Sequence, residues 1–125
     1  MTDTASLKSE LSQFTGTERY YRHSLVRTVT YTDGVKHFAD AAGAYWLLDI
    51  LATELTGHVR TNEIIFITAT SKDGKATLTA VRDKGEPPLW TKNIEFTDLP
   101  EGEWDLWFAL GGPYDTLVIL LPSEY

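Results

Sequence analysis

Residues 62–83 read NEIIFITATSKDGKATLTAVRD, and this stretch decides the fold class. Apolar and polar side chains alternate through NEIIFITATS (62–71) and KATLTAVRD (75–83), the period of two that sends successive residues to opposite faces of a strand. The KDG between them (72–74) supplies a glycine for the positive φ of a tight hairpin turn. Downstream the pattern continues. PLWTKNIEFT (88–97) sets Trp90, Ile94 and Phe96 on one side, and WDLWFAL (104–110) alternates Trp104, Leu106, Phe108 and Leu110. TLVILL (116–121) is apolar almost throughout, as expected of a strand covered on both faces. Turn-forming residues at GEPP (85–88), DLPEGE (98–103) and GGPYD (111–115) separate these runs.

Upstream the period is helical, apart from LVRTVTY (25–31), whose β-branched and aromatic residues predict a first strand. Asp33 as N-cap and Gly57 just past the end bracket a helix over 34–56. Ala44, Leu47, Leu48, Leu51 and Leu55 form one apolar face of it, with Val35, Phe38, Ala42 and Trp46 beside them. Gly43 costs about 1 kcal/mol in mid-helix relative to alanine, so the segment either packs closely there or breaks; we read one continuous helix. Asp3 or Thr4 caps a shorter N-terminal helix whose Leu7, Leu11 and Phe14 share a face before Gly16 ends it. The expected architecture is a single α+β domain over 1–125, with N-terminal helices packed on a five- to six-stranded, mainly antiparallel sheet.

A length of 125 residues suits one core, and 42% hydrophobic residues with four Trp, six Tyr and five Phe can fill it. With no cysteine, disulfide frameworks, thiolate metal sites and cysteine nucleophiles are excluded. MTDTASLKSELSQF has no signal-peptide character, and AAGAYWLL, the longest uninterrupted apolar run, is far too short to span a bilayer. A soluble, cytoplasmic protein with no membrane partner is expected.

The net charge of −7 is unevenly placed, with seven acids and six bases in 1–60 against eleven acids and five bases in 61–125. Five acids, Glu95, Asp98, Glu101, Glu103 and Asp105, occur in EFTDLPEGEWD with no base among them. Such a surface repels phosphate backbones, so direct nucleic-acid binding is disfavoured and a basic protein surface is the natural complement. These five are the candidate partner-binding residues. A strand at a sheet edge can also pair with its own copy, giving a homodimer.

Motif by motif, catalysis finds little. The Gly-Lys at 74–75 lacks the glycine of a P-loop, since Ala69 stands there, and no nucleophile elbow, zinc-protease helix or dinucleotide fingerprint occurs. Asp33, His37 and Asp40 have helix-face spacing, but a histidine flanked by acids on an exposed first turn reads as solvated, and no metal or cofactor is expected. The densest cluster of reactive groups is ERYYRH (18–23), while Asp49 interrupts YWLLDIL among apolar neighbours. A carboxylate in that setting needs a donor. Tyr20, Tyr21, Arg22 and His23 are the candidates, forming with Asp49 a structural network, a ligand site or a proton-transfer centre. The terminal PSEY is expected to tuck against the domain rather than project.

GTERYYRH (16–23), YTDGVKHFADAAGAYWLLD (31–49), FTDLP (96–100) and LLPSEY (120–125) together resemble an uncharacterised family of small proteins encoded by bacteriophages, plasmids and other mobile elements. That resemblance spans nearly the whole chain and brings no established activity. It implies an accessory protein in a bacterial cytoplasm, working by stoichiometric binding to a host protein, for example as an anti-CRISPR or anti-restriction inhibitor. The alternative is a small-molecule-binding protein or enzyme with its site in the YYRH segment and Asp49.

Overall fold

The chain is described from a computed structural model, which covers residues 4–17, 19–83 and 85–125. Asp3, one of the two expected caps of the first helix, and Glu18 of the ERYYRH segment lie outside the described residues.

The hairpin forms as its alternation dictates. Strands β3 (Ile64–Lys72) and β4 (Lys75–Val81) pair antiparallel and close at Lys72 opposite Lys75. Asp73 and Gly74, at φ 54° and 76°, make the two-residue turn whose backbone matches strand twist. Strand β5 (Trp90–Ile94) adds to β4, and β6 (Gly102–Ala109) pairs with β3 along its whole length. Ile65, Ile67, Ala69, Leu78, Ala80, Trp104, Leu106 and Phe108 all enter the main core from these strands.

The other half of the sheet departs from expectation. The strand read at 25–31 is present only as β2 (Val29–Thr32), and an additional strand β1 (Tyr20–Arg22) pairs with it antiparallel. Strand β7 (Leu117–Leu120) inserts between β2 and β6, parallel to β2 and antiparallel to β6. The result is a seven-stranded mixed sheet in the order β1-β2-β7-β6-β3-β4-β5, larger than the five or six mainly antiparallel strands expected. Four-residue strands carry too little alternation to be recognised alone, and a parallel partner almost ninety residues away leaves no local mark. All four residues of β7 are buried: Leu117 and Ile119 face the helices, and Val118 and Leu120 face the other way.

The expected single helix over 34–56 is two helices, α2 (Asp33–Ala42) and α3 (Tyr45–Glu54), which follow α1 (Thr4–Leu11), and a further helix α4 (Thr56–Asn62) begins where it was expected to end. A straight helix of that length would run about 34 Å, far beyond the four-residue strands β2 and β7 that it would have to cover. Gly43 resolves this by adopting the left-handed conformation at φ 62°, with its N–H bonded to the Ala39 carbonyl, and the chain turns there. Thr32 rather than Asp33 caps α2, its hydroxyl accepting from the Val35 N–H at 3.2 Å, and Asp33 is the first helical residue. Gly57 lies inside α4 instead of ending a helix, and the chain turns into β3 at Glu63, φ 71°.

The helices pack on one face of the sheet, where Leu7, Val35, Phe38, Leu47, Leu48, Leu51, Leu55 and Val59 join the strand residues in the core. The opposite face carries a small apolar cluster, Ala109, Val118 and Leu120 with Ile64 and Trp107 against them and Phe66 edge-on to Trp107, and a field of threonines. Two expected core positions fall outside: Phe96 is 90% exposed and Leu110 is 42% exposed, because β5 ends at Ile94 and β6 at Ala109 and the alternation has no sheet to follow.

Candidate functional site

Three polar constellations stand out, and two of them join sequence segments far apart. The first brings Asp49 to the YYRH segment. His23, only 3% exposed, receives the backbone N–H groups of Leu25 and Val26 on Nδ1 at 3.1 and 3.0 Å. With Nδ1 an acceptor, the ring proton resides on Nε2, which donates to Asp49 Oδ1 at 2.7 Å. His23 thereby fixes the turn before β2 and ties it to α3. Asp49 itself is 54% exposed, so its partner, rather than the carboxylate, is the buried member of the pair.

The rest of the segment divides by strand alternation. Tyr21 turns to the helix side and stacks on Tyr31 at 5.8 Å, with the Lys36 ammonium 5.5 Å from its ring centre. Tyr20 and Arg22 turn to the open face, where the Arg22 guanidinium lies over the Tyr114 ring at 5.9 Å. Tyr20, Tyr21, Arg22, His23 and Asp49 therefore do not converge on one point. Four surface cavities, beside α1, beside the 97–101 loop, beside Trp46 and beside 13–17, are lined by none of them.

On α2, Asp40 accepts from Lys36 at 2.8 Å and from the Tyr45 hydroxyl at 2.5 Å. Those two hydrogen bonds hold its carboxyl below the usual aspartate value, whereas burial and the Asp40 charge push the Tyr45 phenol up to about 12. The His37 ring lies tilted against Phe14 at 5.4 Å, with Nε2 3.4 Å from Glu10. Among the described residues no three His, Asp or Glu side chains are grouped to hold a metal ion.

The second constellation is centred on a residue that sequence reading passed over. Glu124, buried in the 3-10 turn after β7, sits at the N-terminus of α2. Its Oε1 accepts from the Thr32 hydroxyl at 2.6 Å and the Leu121 N–H at 2.9 Å, and its Oε2 from the Gly34 N–H at 3.3 Å and the Thr17 hydroxyl at 3.4 Å. A carboxylate there completes the unsatisfied first turn of the helix and meets the positive end of its dipole. Burial raises the Glu124 pKa, while the bonds from Thr32, Leu121 and Gly34 work against that rise. Gly34 makes the approach possible: a Cβ there would lie 2.7 Å from Leu121 Cδ1 and 2.8 Å from the Glu124 carboxyl. The glycine after YTD and the glutamate of PSEY were the available signal, legible only once α2 and β7 are known to be neighbours. As expected, the terminal segment tucks in, and the Tyr125 ring rests on Trp107 at 4.8 Å although most of it is exposed.

The third constellation is the acidic run. Glu95 and Asp98 lie in the loop between β5 and β6, Glu101 leads into β6, and Glu103 and Asp105 stand on the open face of that strand; all five are exposed. Glu101 accepts from the Asp73 N–H at 3.1 Å and Asp105 from the Thr68 hydroxyl at 2.9 Å. No base forms an ion pair with any of the five among the described residues. The exposed Phe96 lies within the run.

Residues 5–125 match DUF6876, a family of unknown function. The chain belongs to that family. No curated protein matches it. A crystal structure of a protein of unknown function from Enterococcus faecalis is similar to this DUF6876 chain at a TM-score of 0.51 and 18% identity, over 78% of this chain and 89% of that one. At that identity the likeness concerns the fold. Within this DUF6876 chain, the quoted motifs resolve into the two ties just described: His23 of YYRH with Asp49 of AYWLLD, and Thr17 and YTDGV with Glu124 of LLPSEY. Among the described residues no helix is long and apolar enough to cross a membrane.

Proposed function

We infer that this DUF6876 chain is a non-enzymatic protein-binding module that engages a basic partner surface through the acidic edge at 95–105. The observation that carries the reading is the contrast in charge pairing. Glu10, Asp40, Asp49, Glu54 and Glu86 each lie against a Lys, Arg or His, and Glu63, Asp73 and Asp115 are scattered single acids, whereas Glu95, Asp98, Glu101, Glu103 and Asp105 are clustered and exposed without an ion pair among the described residues. Unpaired surface charges of one sign give steering and salt-sensitive complementarity. Phe96 adds an apolar anchor of the kind that interfaces bury. The resemblance to mobile-element proteins supports a bacterial host machine of the CRISPR-effector or restriction type as the partner, occluded by stoichiometric binding.

The test is capture of partners from a bacterial lysate by the wild-type chain and by a variant carrying Glu95→Lys, Asp98→Lys and Glu103→Lys, followed by affinity measurement at two salt concentrations. A partner bound by the wild type, weakened by salt and lost on reversal is the expected result; equal affinity for both chains overturns the reading. An enzyme or small-molecule site at Tyr20, Tyr21, Arg22, His23 and Asp49 has less support, since both nitrogens of His23 are already bonded and the side chains point to different faces.

A further inference from the structure

Strand β6 is paired to β3 from Gly102 to Ala109, but to β7 only from Trp107 to Ala109. The β7 chain leaves the sheet after Leu120 and turns at Pro122, so, among the described residues, 103–106 of β6 are paired with a strand on one side only. In an antiparallel strand every second residue directs its N–H and C=O away from a given neighbour. Among the described residues part of β6 therefore offers backbone donors and acceptors without a ladder partner, in the middle of the strand order rather than at the outer strands β1 and β5.

The space beside this edge is a cavity of about 250 Å³ between β6, the chain at 121–123 and helix α1. Glu103, Trp104, Asp105 and Leu106 all line it. Because side chains alternate between faces, four successive strand residues can line one cavity only where the backbone edge itself forms the wall. Leu11, Phe38 and Leu121 make its helix-side wall apolar. Lys8, the one base lining it, has its ammonium 5.2 Å from the Trp104 ring centre.

We propose that this slot takes an extended segment of a partner protein, in which basic and apolar residues alternate, as a short added strand on residues 103–106 of β6. The inference rests on the protein-binding reading above and gives it a ligand class. Backbone pairing would supply the added strand with hydrogen bonds that the edge now lacks, over roughly 13 Å at ~3.3 Å per residue. Residues opposite Trp104 and Leu106 face the helix side and meet Leu11 and Phe38, which calls for apolar side chains. Residues opposite Glu103 and Asp105 face the open side of the sheet, where two exposed carboxylates in cross-strand position favour Lys or Arg.

The experiment measures fluorescence anisotropy of labelled octapeptides against the full chain. One peptide alternates Arg and Val, a second has four Val followed by four Arg, and two more are the alternating peptide N-methylated at every Val or at every Arg. The alternating peptide is expected to bind at least about tenfold more tightly than the block isomer. One N-methylated form should lose binding while the other keeps it, since only one set of N–H groups faces β6. Ser12→Trp, which fills the slot, should abolish the preference, with Ser123→Trp as the second variant if circular dichroism shows the first unfolded. Equal binding of the alternating and block peptides, both lost on Glu103→Lys, overturns the slot and leaves the acidic-surface reading standing. Failure of all four peptides also overturns it, and the surface reading then stands or falls on the charge-reversal capture alone.

Discussion

The two halves of the sheet are held together differently. From β6 through β3 and β4 to β5, long strands pair over five to eight register positions, and their order is that of two hairpin-like neighbours around the KDG turn. From β1 through β2 to β7, strands of three or four residues pair over three positions each, and polar side chains complete the joints: His23 with Asp49, Thr30 with Thr116 at 3.1 Å, and Glu124 with Thr32, Gly34 and Thr17. In the half with long ladders the acids at 95–105 take part in no ion pair among the described residues, whereas in the half with short ladders His23, Asp49 and Glu124 are consumed in holding the chain. Of ERYYRH, His23 belongs to the second kind, and the acidic run belongs to the first. A dense cluster of chemistry in a sequence is thus a poor guide to function when the strand that carries it is short.

The sharpest way to break the contrast is Gly34→Ala. Its methyl group would meet Leu121 and the Glu124 carboxyl at under 3 Å, and moving that carboxyl would disturb its four hydrogen bonds, so a loss of about 3 kcal/mol is expected in urea unfolding. A loss under 0.5 kcal/mol, within the range of neutral surface changes, would show that the short-strand half does not depend on this joint.

Glu124→Gln comes next. The amide would set a donor against an N–H or hydroxyl that the carboxylate now accepts, at a cost of about 1–3 kcal/mol. It should also change the response to pH. Because burial raises the pKa of Glu124 above the ordinary 4.5, the folded state holds this proton more tightly than the unfolded chain. Stability in the wild type therefore falls, through this group, as pH rises from about 4.5 through the raised value, and that component should be missing in Glu124→Gln. Unfolding midpoints between pH 4 and 7 for the two chains check the sign.

Much of the long-strand half is legible in the sequence, and the reason is physical. The alternation of β3 and β4 is a local signal, and a two-residue turn with glycine at its second position makes the register follow from it. In the short-strand half the decisive contacts join residues 86 to 107 positions apart, as in Thr30 to Thr116 or Thr17 to Glu124, so nothing in either neighbourhood announces them. Asp49 was an exception: a carboxylate among leucines asked for a donor, and His23 answers it. The helix break was half visible, since Gly43 admits both outcomes and only the shortness of β2 and β7 selects the turn.

Asp49→Asn probes the weaker of the two ties. With the carboxylate half exposed, about 1 kcal/mol of stability should be lost, and spectra of the folded state should change around His23 and the 24–28 turn. A variant that unfolds as the wild type does but loses a binding or catalytic activity would instead make the pair functional. The smallest effect on stability belongs to the triple reversal at Glu95, Asp98 and Glu103, none of which makes a hydrogen bond or ion pair given above. It should stay within about 0.5 kcal/mol of wild type in the same unfolding assay, so any lost affinity would report binding alone.

The position of β7 carries a consequence for biosynthesis. It follows both of its neighbours in the chain, and without residues 117–120 strand pairing leaves two pieces, β1 with β2 and β6 with β3, β4 and β5. Each piece then exposes a strand edge that the finished protein hides, beside apolar helices with only part of their floor. Four apolar residues complete the sheet between the pieces, and Glu124, just behind them, latches the first turn of a helix ninety residues earlier in the chain.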